Sequence, residues 1–131
     1  MIVVDASVLA NVVGDDGGDG DRARREVRAG GDMAAPDLVD VETVAVLRRR
    51  WLAKAISESR FVAAIDDLED LGIDRYPTLG FMRRAYELRN NITAYDAAYV
   101  ALAEILECEL LTADERLSKA VGPRCAVRLL R

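Results

Sequence analysis

The stretch IVVDASVL, residues 2–9, decides how the rest of the chain is read. Ile2, Val3 and Val4 are consecutive β-branched residues, stiff about χ1 and suited to a strand buried within a sheet. Asp5 ends this apolar run, and Asp5-Ala6-Ser7 opens a helix to about Val13. A buried strand that passes directly into a helix begins a βαβ unit. It also sets a carboxylate at the carboxyl end of the strand, where open parallel sheets form their functional crevice.

The same alternation continues along the chain. The Gly- and Asp-rich stretch GDDGGDGD at residues 14–21 reads as a solvated loop, since it lacks the ligand spacing and closing Glu of a calcium loop. Asp21 is the expected N-cap of a short Arg-rich helix to about Ala29, followed by a strand at Met33–Ala35 ending at Pro36. A long helix is expected from Asp37 to Ala55. Ser57 caps another to Leu71, with Phe61, Ala64, Ile65 and Leu68 on one face. Ile73 to Pro77 reads as a minor strand, Thr78 to Arg89 as a helix, and Asn90-Asn91 as a break. Thr93 opens the helix AYDAAYVALAEILE. Cys108–Thr112 forms a strand, Ala113 to about Val121 a short helix, and Ala126–Leu130 a last strand. The expected fold is therefore α/β, a three-layer arrangement with a mainly parallel sheet between helices, formed as one domain over residues 1–131.

Composition narrows the chemistry. Hydrophobic residues make up 51% and charged residues 31% of 131, the balance of an ordinary globular protein that needs no disulfide or structural metal. The first residues carry no basic segment and place an Asp within their apolar run, so neither a signal peptide nor a membrane span is expected, and the expected location is the cytoplasm. Cys108 and Cys125 match no zinc or redox spacing and are expected to be buried, reduced thiols. Histidine is absent, which removes Ser-His-Asp triads, paired-histidine RNA cleavage and imidazole metal sites. The net charge of −5 runs against the basic footprint of a nucleic-acid binder. Setting aside four acids of a candidate site leaves 19 acids against 18 bases, so bound cations would decide the local sign.

Those four acids are Asp5, Glu42, Asp96 and Asp114. Asp5 and Asp114 follow expected strands. Glu42 lies on the helix face of Leu38, Ala45 and Arg49, and Asp96 begins the face continued by Tyr99, Val100 and Ala103. Each also has an ordinary structural role open to it: a strand-end turn for Asp5, an ion pair with Arg49 for Glu42, part of a Thr93 capping box for Asp96, and a first-turn acid for Asp114. In TADE, Thr112 and Glu115 offer a capping box of their own, which leaves Asp114 free. Carboxylates gathered at one crevice repel one another unless a cation sits among them, and hard oxygen donors suit Mg²⁺ or Mn²⁺. Metal-assisted phosphodiester hydrolysis is chemistry that needs no histidine.

IVVDASVL, VETVAVLRR with Glu42, ITAYDAAYVALAE with Asp96 and LLTADERL with Asp114 together resemble the PIN-domain ribonucleases, especially the VapC-type toxins of bacterial VapBC toxin-antitoxin pairs. The resemblance spans nearly the whole chain. It implies a PIN-like doubly wound fold, an acidic quartet of Asp5, Glu42, Asp96 and Asp114, dependence on Mg²⁺ or Mn²⁺, and endoribonuclease action on RNA. Ser7 and Thr112 match supporting hydroxyl positions, although turn and helix capping explain them equally well. The resemblance also implies a homodimer and a cognate VapB-type antitoxin that wraps the toxin and blocks its site with a basic side chain.

Phe61, Ile65 and Leu68, with Leu47 and Trp51, are either core or the lining of a groove for a partner helix. Candidate RNA contacts are Arg22, Arg24, Arg25 and Arg28, then Arg48, Arg49, Arg50 and Lys54, then Arg83, Arg84 and Arg89, with Tyr95 and Tyr99 able to stack on bases where exposed. Two other classes stay open: a PIN-like scaffold that binds RNA or protein without cutting, and an aspartate-based phosphotransfer domain. The second lacks the acid expected two positions after its nucleophile.

Overall fold

Five short strands lie side by side in the order β3-β2-β1-β4-β5, every neighbouring pair parallel, in a computed structural model that describes residues 1–131. They are β1 (Ile2–Val4), β2 (Met33–Pro36), β3 (Ile73–Tyr76), β4 (Leu110–Thr112) and β5 (Val127–Leu129). The helices between them are α1 (Ala6–Gly14), α2 (Gly18–Gly30), α3 (Val39–Leu52), α4 (Glu58–Asp70), α5 (Met82–Glu87), α6 (Ala94–Leu106) and α7 (Glu115–Ser118). Helix α1 packs on α2, α3 and α4, while α6 lies across β1, β2 and β4 beside α5, so the sheet is the middle of three layers. No helix is long and apolar enough to cross a membrane.

The β-branched run at the start does what its composition dictates. Val3 and Val4 are fully buried in the central strand, with Val3 in register with Ala34 on one side and Leu110 on the other. The connections run outward from β1 in both directions. The gap beyond the ends of β1 and β4 is therefore the switch point at which such sheets open a crevice. Helix α6 is buried from Ala97 to Ala103 because its small residues allow close approach to the sheet, and the left-handed Glu107 ends it.

Three expectations change. Helix α2 starts at Gly18 with Gly17 as its N-cap, upstream of Asp21. The Asp15 carboxylate accepts from the N–H groups of Gly17 and Gly20, and the Arg24 guanidinium ties Asp21 to the carbonyls of Val12 and Asp15. The expected loop thus shrinks to a tight junction. The segment from Thr78 divides into a 3-10 turn, Thr78–Phe81, and α5, because Thr78 donates to Asp37 and is drawn toward the start of α3. Cys108 and Cys125 are free thiols, but each is only half-buried beside Glu104 and Glu109. Burial pushes both thiols up, Cys125 to about 11.

Candidate active site

Asp5 is the residue around which the crevice is organised. It is only 5% exposed, although a carboxylate resists leaving water without partners. The partners are present. Oδ1 accepts from Ser7 Oγ at 2.5 Å and from the Val8 N–H at 3.1 Å, while Oδ2 accepts from Thr112 Oγ1 at 2.5 Å. Each hydroxyl also accepts from the loop after β4: Ser7 from the Ala113 N–H at 2.9 Å, Thr112 from the Asp114 N–H at 3.0 Å. The two hydroxyls therefore relay the position of Asp5 to the backbone that carries Asp114. Asp5 also caps α1, so its strand-end role and its place in the site coexist.

The other three acids arrive from three further elements. Glu42 stands in the first turn of α3, half-buried, and its Oε1 accepts from Tyr99 Oη at 2.6 Å; no ion pair joins it to Arg49, which lines the same cleft two turns further along α3. Asp96 occupies the first turn of α6, where its N–H donates to the capping Thr93 Oγ1 at 3.2 Å. Asp114 departs from expectation. It is itself the N-cap of α7, accepting from the Arg116 N–H at 2.9 Å, because the Thr112 hydroxyl is turned toward Asp5 and Glu115 pairs with Lys119 instead. Capping does not remove Asp114 from the crevice.

All four acids line one cleft of about 320 Å³, with Ser7, Arg49, Tyr95, Tyr99 and Arg116 among the other walls. Burial is the first cause that raises the pKa of Asp5, Glu42 and Asp96 above ordinary carboxylate values. The negative charge of Asp96 adds to this at Asp5 and Glu42, and that of Asp114 adds to it at Asp96. Hydrogen bonds from Ser7 and Thr112 at Asp5, and from Tyr99 at Glu42, act in the opposite direction.

No three of these acids come close enough together to hold a metal ion between them. The donor set nevertheless fits Mg²⁺ or Mn²⁺, which keep several waters and take only one or two carboxylates directly alongside substrate phosphate. The excess negative charge of the cleft, four acids against Arg49 and Arg116, favours the same class of ion.

Residues 2–123 match the family described as the PIN domain. A VapC ribonuclease of Mycobacterium bovis is 38% identical over 130 residues, which cover 99% of this chain and 98% of that protein. The chain belongs to the PIN-domain VapC ribonucleases. Ribonuclease VapC1 of Mycobacterium tuberculosis is 45% identical to this PIN domain over 98 residues, covering 74% of each. Among solved structures, the Mycobacterium tuberculosis sarcin-ricin-loop-cleaving toxin VapC20 matches with a TM-score of 0.67 at 19% identity, covering 90% of this chain and 93% of the other. PAE2754 from Pyrobaculum aerophilum matches with a TM-score of 0.69 at 20% identity, covering 96% and 81%. At those identities the two structures establish the fold, a parallel sheet between helical layers.

The residues read as RNA contacts separate clearly in this PIN domain. Tyr99 is 1% exposed and cannot stack on a base, whereas Tyr95, 66% exposed, stands at the rim of the cleft. Arg22, Arg24 and Arg84 are committed to Asp19, Asp21 and Glu104, and Arg50 holds Asn11. Arg49 remains at the cleft. Arg116 stands there too, 3.5 Å from Asp114, and the sequence reading missed it; its signal was its position two residues after an acid of the site. A larger hollow of about 950 Å³ adjoins at Ser7, but its Arg22 and Arg60 are already paired with Asp19 and Asp16.

Proposed function

We propose that this PIN domain is a divalent-metal-dependent endoribonuclease, the toxin component of a type II toxin-antitoxin pair, and that Asp5, Glu42, Asp96 and Asp114 form its acidic site. The observation that carries this reading is the single cleft at the switch point, lined by four acids from four different elements, three of them strained by burial and mutual repulsion. Identity to VapC ribonucleases along the chain supports the reaction class.

One or two carboxylates of the quartet Asp5, Glu42, Asp96 and Asp114, with water and substrate phosphate, would hold Mg²⁺ or Mn²⁺. Such an ion supplies positive charge for the phosphate and acidifies water for in-line attack on phosphorus. Ser7 and Thr112 keep Asp5 in one orientation, which is how the surroundings of a metal site sharpen its affinity. Arg49 and Arg116 line the same cleft as the acids and would offer donors to the phosphate oxygens of a bound strand. Tyr95 offers a face for an unpaired base at the rim.

For the antitoxin, the site proposed is the apolar groove lined by Trp51, Phe61, Val62 and Ile65, where the Trp51 and Phe61 ring centroids lie 6.5 Å apart. Leu47 and Leu68 belong to the core beneath it. A partner helix of VapB type would bury this groove and reach the acids with a basic side chain. A homodimer completes the proposed assembly.

The test is cleavage of total RNA by the purified chain and its Asp96→Asn variant, with Mg²⁺, with Mn²⁺ and with excess chelator. Discrete fragments that require both the metal and Asp96 are expected. Intact RNA after incubation with folded, antitoxin-free protein and either metal would overturn the reading.

A further inference from the structure

Tyr99 is the one large polar side chain buried beneath the acids that neither the fold nor the acidic quartet accounts for. It is 1% exposed on α6, where a phenylalanine would fill all of its space but that of the hydroxyl. A buried hydroxyl needs a partner. Its partner is Oε1 of Glu42, 2.6 Å away and 57 residues distant in sequence, on a different helix. This is a short, charge-assisted bond from a phenol to a carboxylate, the strong kind. No protein group donates to the other carboxylate oxygen of Glu42.

The consequence is geometric. Glu has three side-chain torsions, more freedom than Asp5, which is clamped on both oxygens. Without an anchor, the Glu42 carboxylate would sample rotamers that turn it away from the other acids, toward solvent or along α3 toward Arg49. We propose that Tyr99 is a positioning residue for Glu42: its buried hydroxyl fixes one carboxylate oxygen and leaves the other directed to a divalent cation in the cleft. The inference rests on the nuclease reading of the site. It assigns to α6 two separate contributions, Asp96 at the mouth and Tyr99 beneath, one helical turn apart.

The test uses the purified full chain and the variants Tyr99→Phe, Glu42→Gln, Asp96→Asn and the Tyr99→Phe/Glu42→Gln pair. Mn²⁺ affinity is read by electron paramagnetic resonance, thermal unfolding without metal, and RNA cleavage as kcat and KM. Tyr99→Phe is expected to fold, to weaken Mn²⁺ binding by about tenfold, as loss of an orienting partner of a metal ligand does, and to lower kcat with little change in KM. The double variant is expected to match Glu42→Gln alone, because once Glu42 is altered its anchor has nothing left to hold. Lower thermal stability in Tyr99→Phe with unchanged Mn²⁺ affinity and kcat would overturn the proposal and leave a purely structural hydrogen bond. Losses that add fully in the double variant would overturn it as well. An unaltered Mn²⁺ affinity in Glu42→Gln, with cleavage abolished by Asp96→Asn, would overturn it while sparing the nuclease reading. A parent protein that binds no Mn²⁺ and cuts no RNA would remove both.

Discussion

Asp5 and Asp96 stand in the same cleft, yet they are unequal probes of it. Asp5 accepts three hydrogen bonds and caps α1, so Asp5→Asn exchanges an acceptor for a donor against hydroxyls and an N–H that already donate. It is expected to lose about 1–3 kcal/mol of stability along with cleavage, which confounds the readout. Asp96 carries a lighter network: its backbone N–H makes the capping bond to Thr93, and the favourable influence of Thr93 and Arg116 on its carboxylate is smaller than the cost of its burial. Asp96→Asn is therefore expected to reduce cleavage by at least about a hundredfold, the scale on which one lost electrostatic contact to a transition state is felt, while thermal stability in the absence of metal stays the same or rises. The pH dependence has a definite sign. Asp5, Glu42 and Asp96 have folded pKa values raised above their unfolded ones, first by burial. Their favourable contribution is complete below the ordinary carboxylate range and is lost as pH rises through the raised values. Unfolding curves of parent and Asp96→Asn without metal should converge near pH 4 and separate toward neutrality, with the variant the more stable. A gap that widens as pH falls would contradict the assignment.

Elements show where a one-dimensional reading works and where it stops. Strands β1 and β2 were legible because three or four apolar residues in a row have few alternatives, and both fell within a residue of expectation. Asp5 and Asp114 were legible as acids just past strands, Glu42 and Asp96 as acids on apolar helix faces, and one cleft collects them. Junctions were less legible, since they depend on partners far away in sequence. The capping of α7 passed from Thr112 to Asp114 because Thr112 is claimed by Asp5, 107 residues earlier, and Tyr99 was read as a base-stacking candidate because its partner Glu42 lies on another helix. The start of α2 illustrates the same dependence. A Cβ on Gly20 would lie 1.8 Å from the Asp15 carbonyl oxygen, a backbone atom that cannot swing aside, whereas one on Gly72 would meet nothing within 4 Å. Gly20→Ala is thus expected to destabilise by about 1–3 kcal/mol, the cost of overpacking, and Gly72→Ala to change little. Urea unfolding of the two variants checks this, and equal midpoints would show that the junction of α1 and α2 is not held as tightly as its hydrogen bonds indicate.

At the scale of the whole molecule, a ribonuclease with net charge −5 must hold a polyanion. Six of its sixteen arginines, Arg22, Arg24, Arg60, Arg75, Arg84 and Arg128, already sit in ion pairs with the protein's own acids. The net charge opposes attraction of RNA at long range, so attraction beside the acids has to be local and shared with bound cations. Arg116 is the side chain best placed for it, 83% exposed at the cleft wall and joined to Asp114 only by a 3.5 Å contact that solvent screens. RNA affinity can be measured without turnover by fluorescence anisotropy on the Asp96→Asn background, with Mg²⁺ present and salt varied. Arg116→Ala should weaken binding and reduce the slope of log affinity against log salt by about 0.7, the value for one phosphate contact to a single strand. Arg24→Ala, whose guanidinium is spent on Asp21 and the carbonyls of α1, should leave that slope unchanged. A slope indifferent to Arg116 would mean that the strand crosses the molecule by another route, with the phosphate beside the acids held by Arg49 and the cation alone.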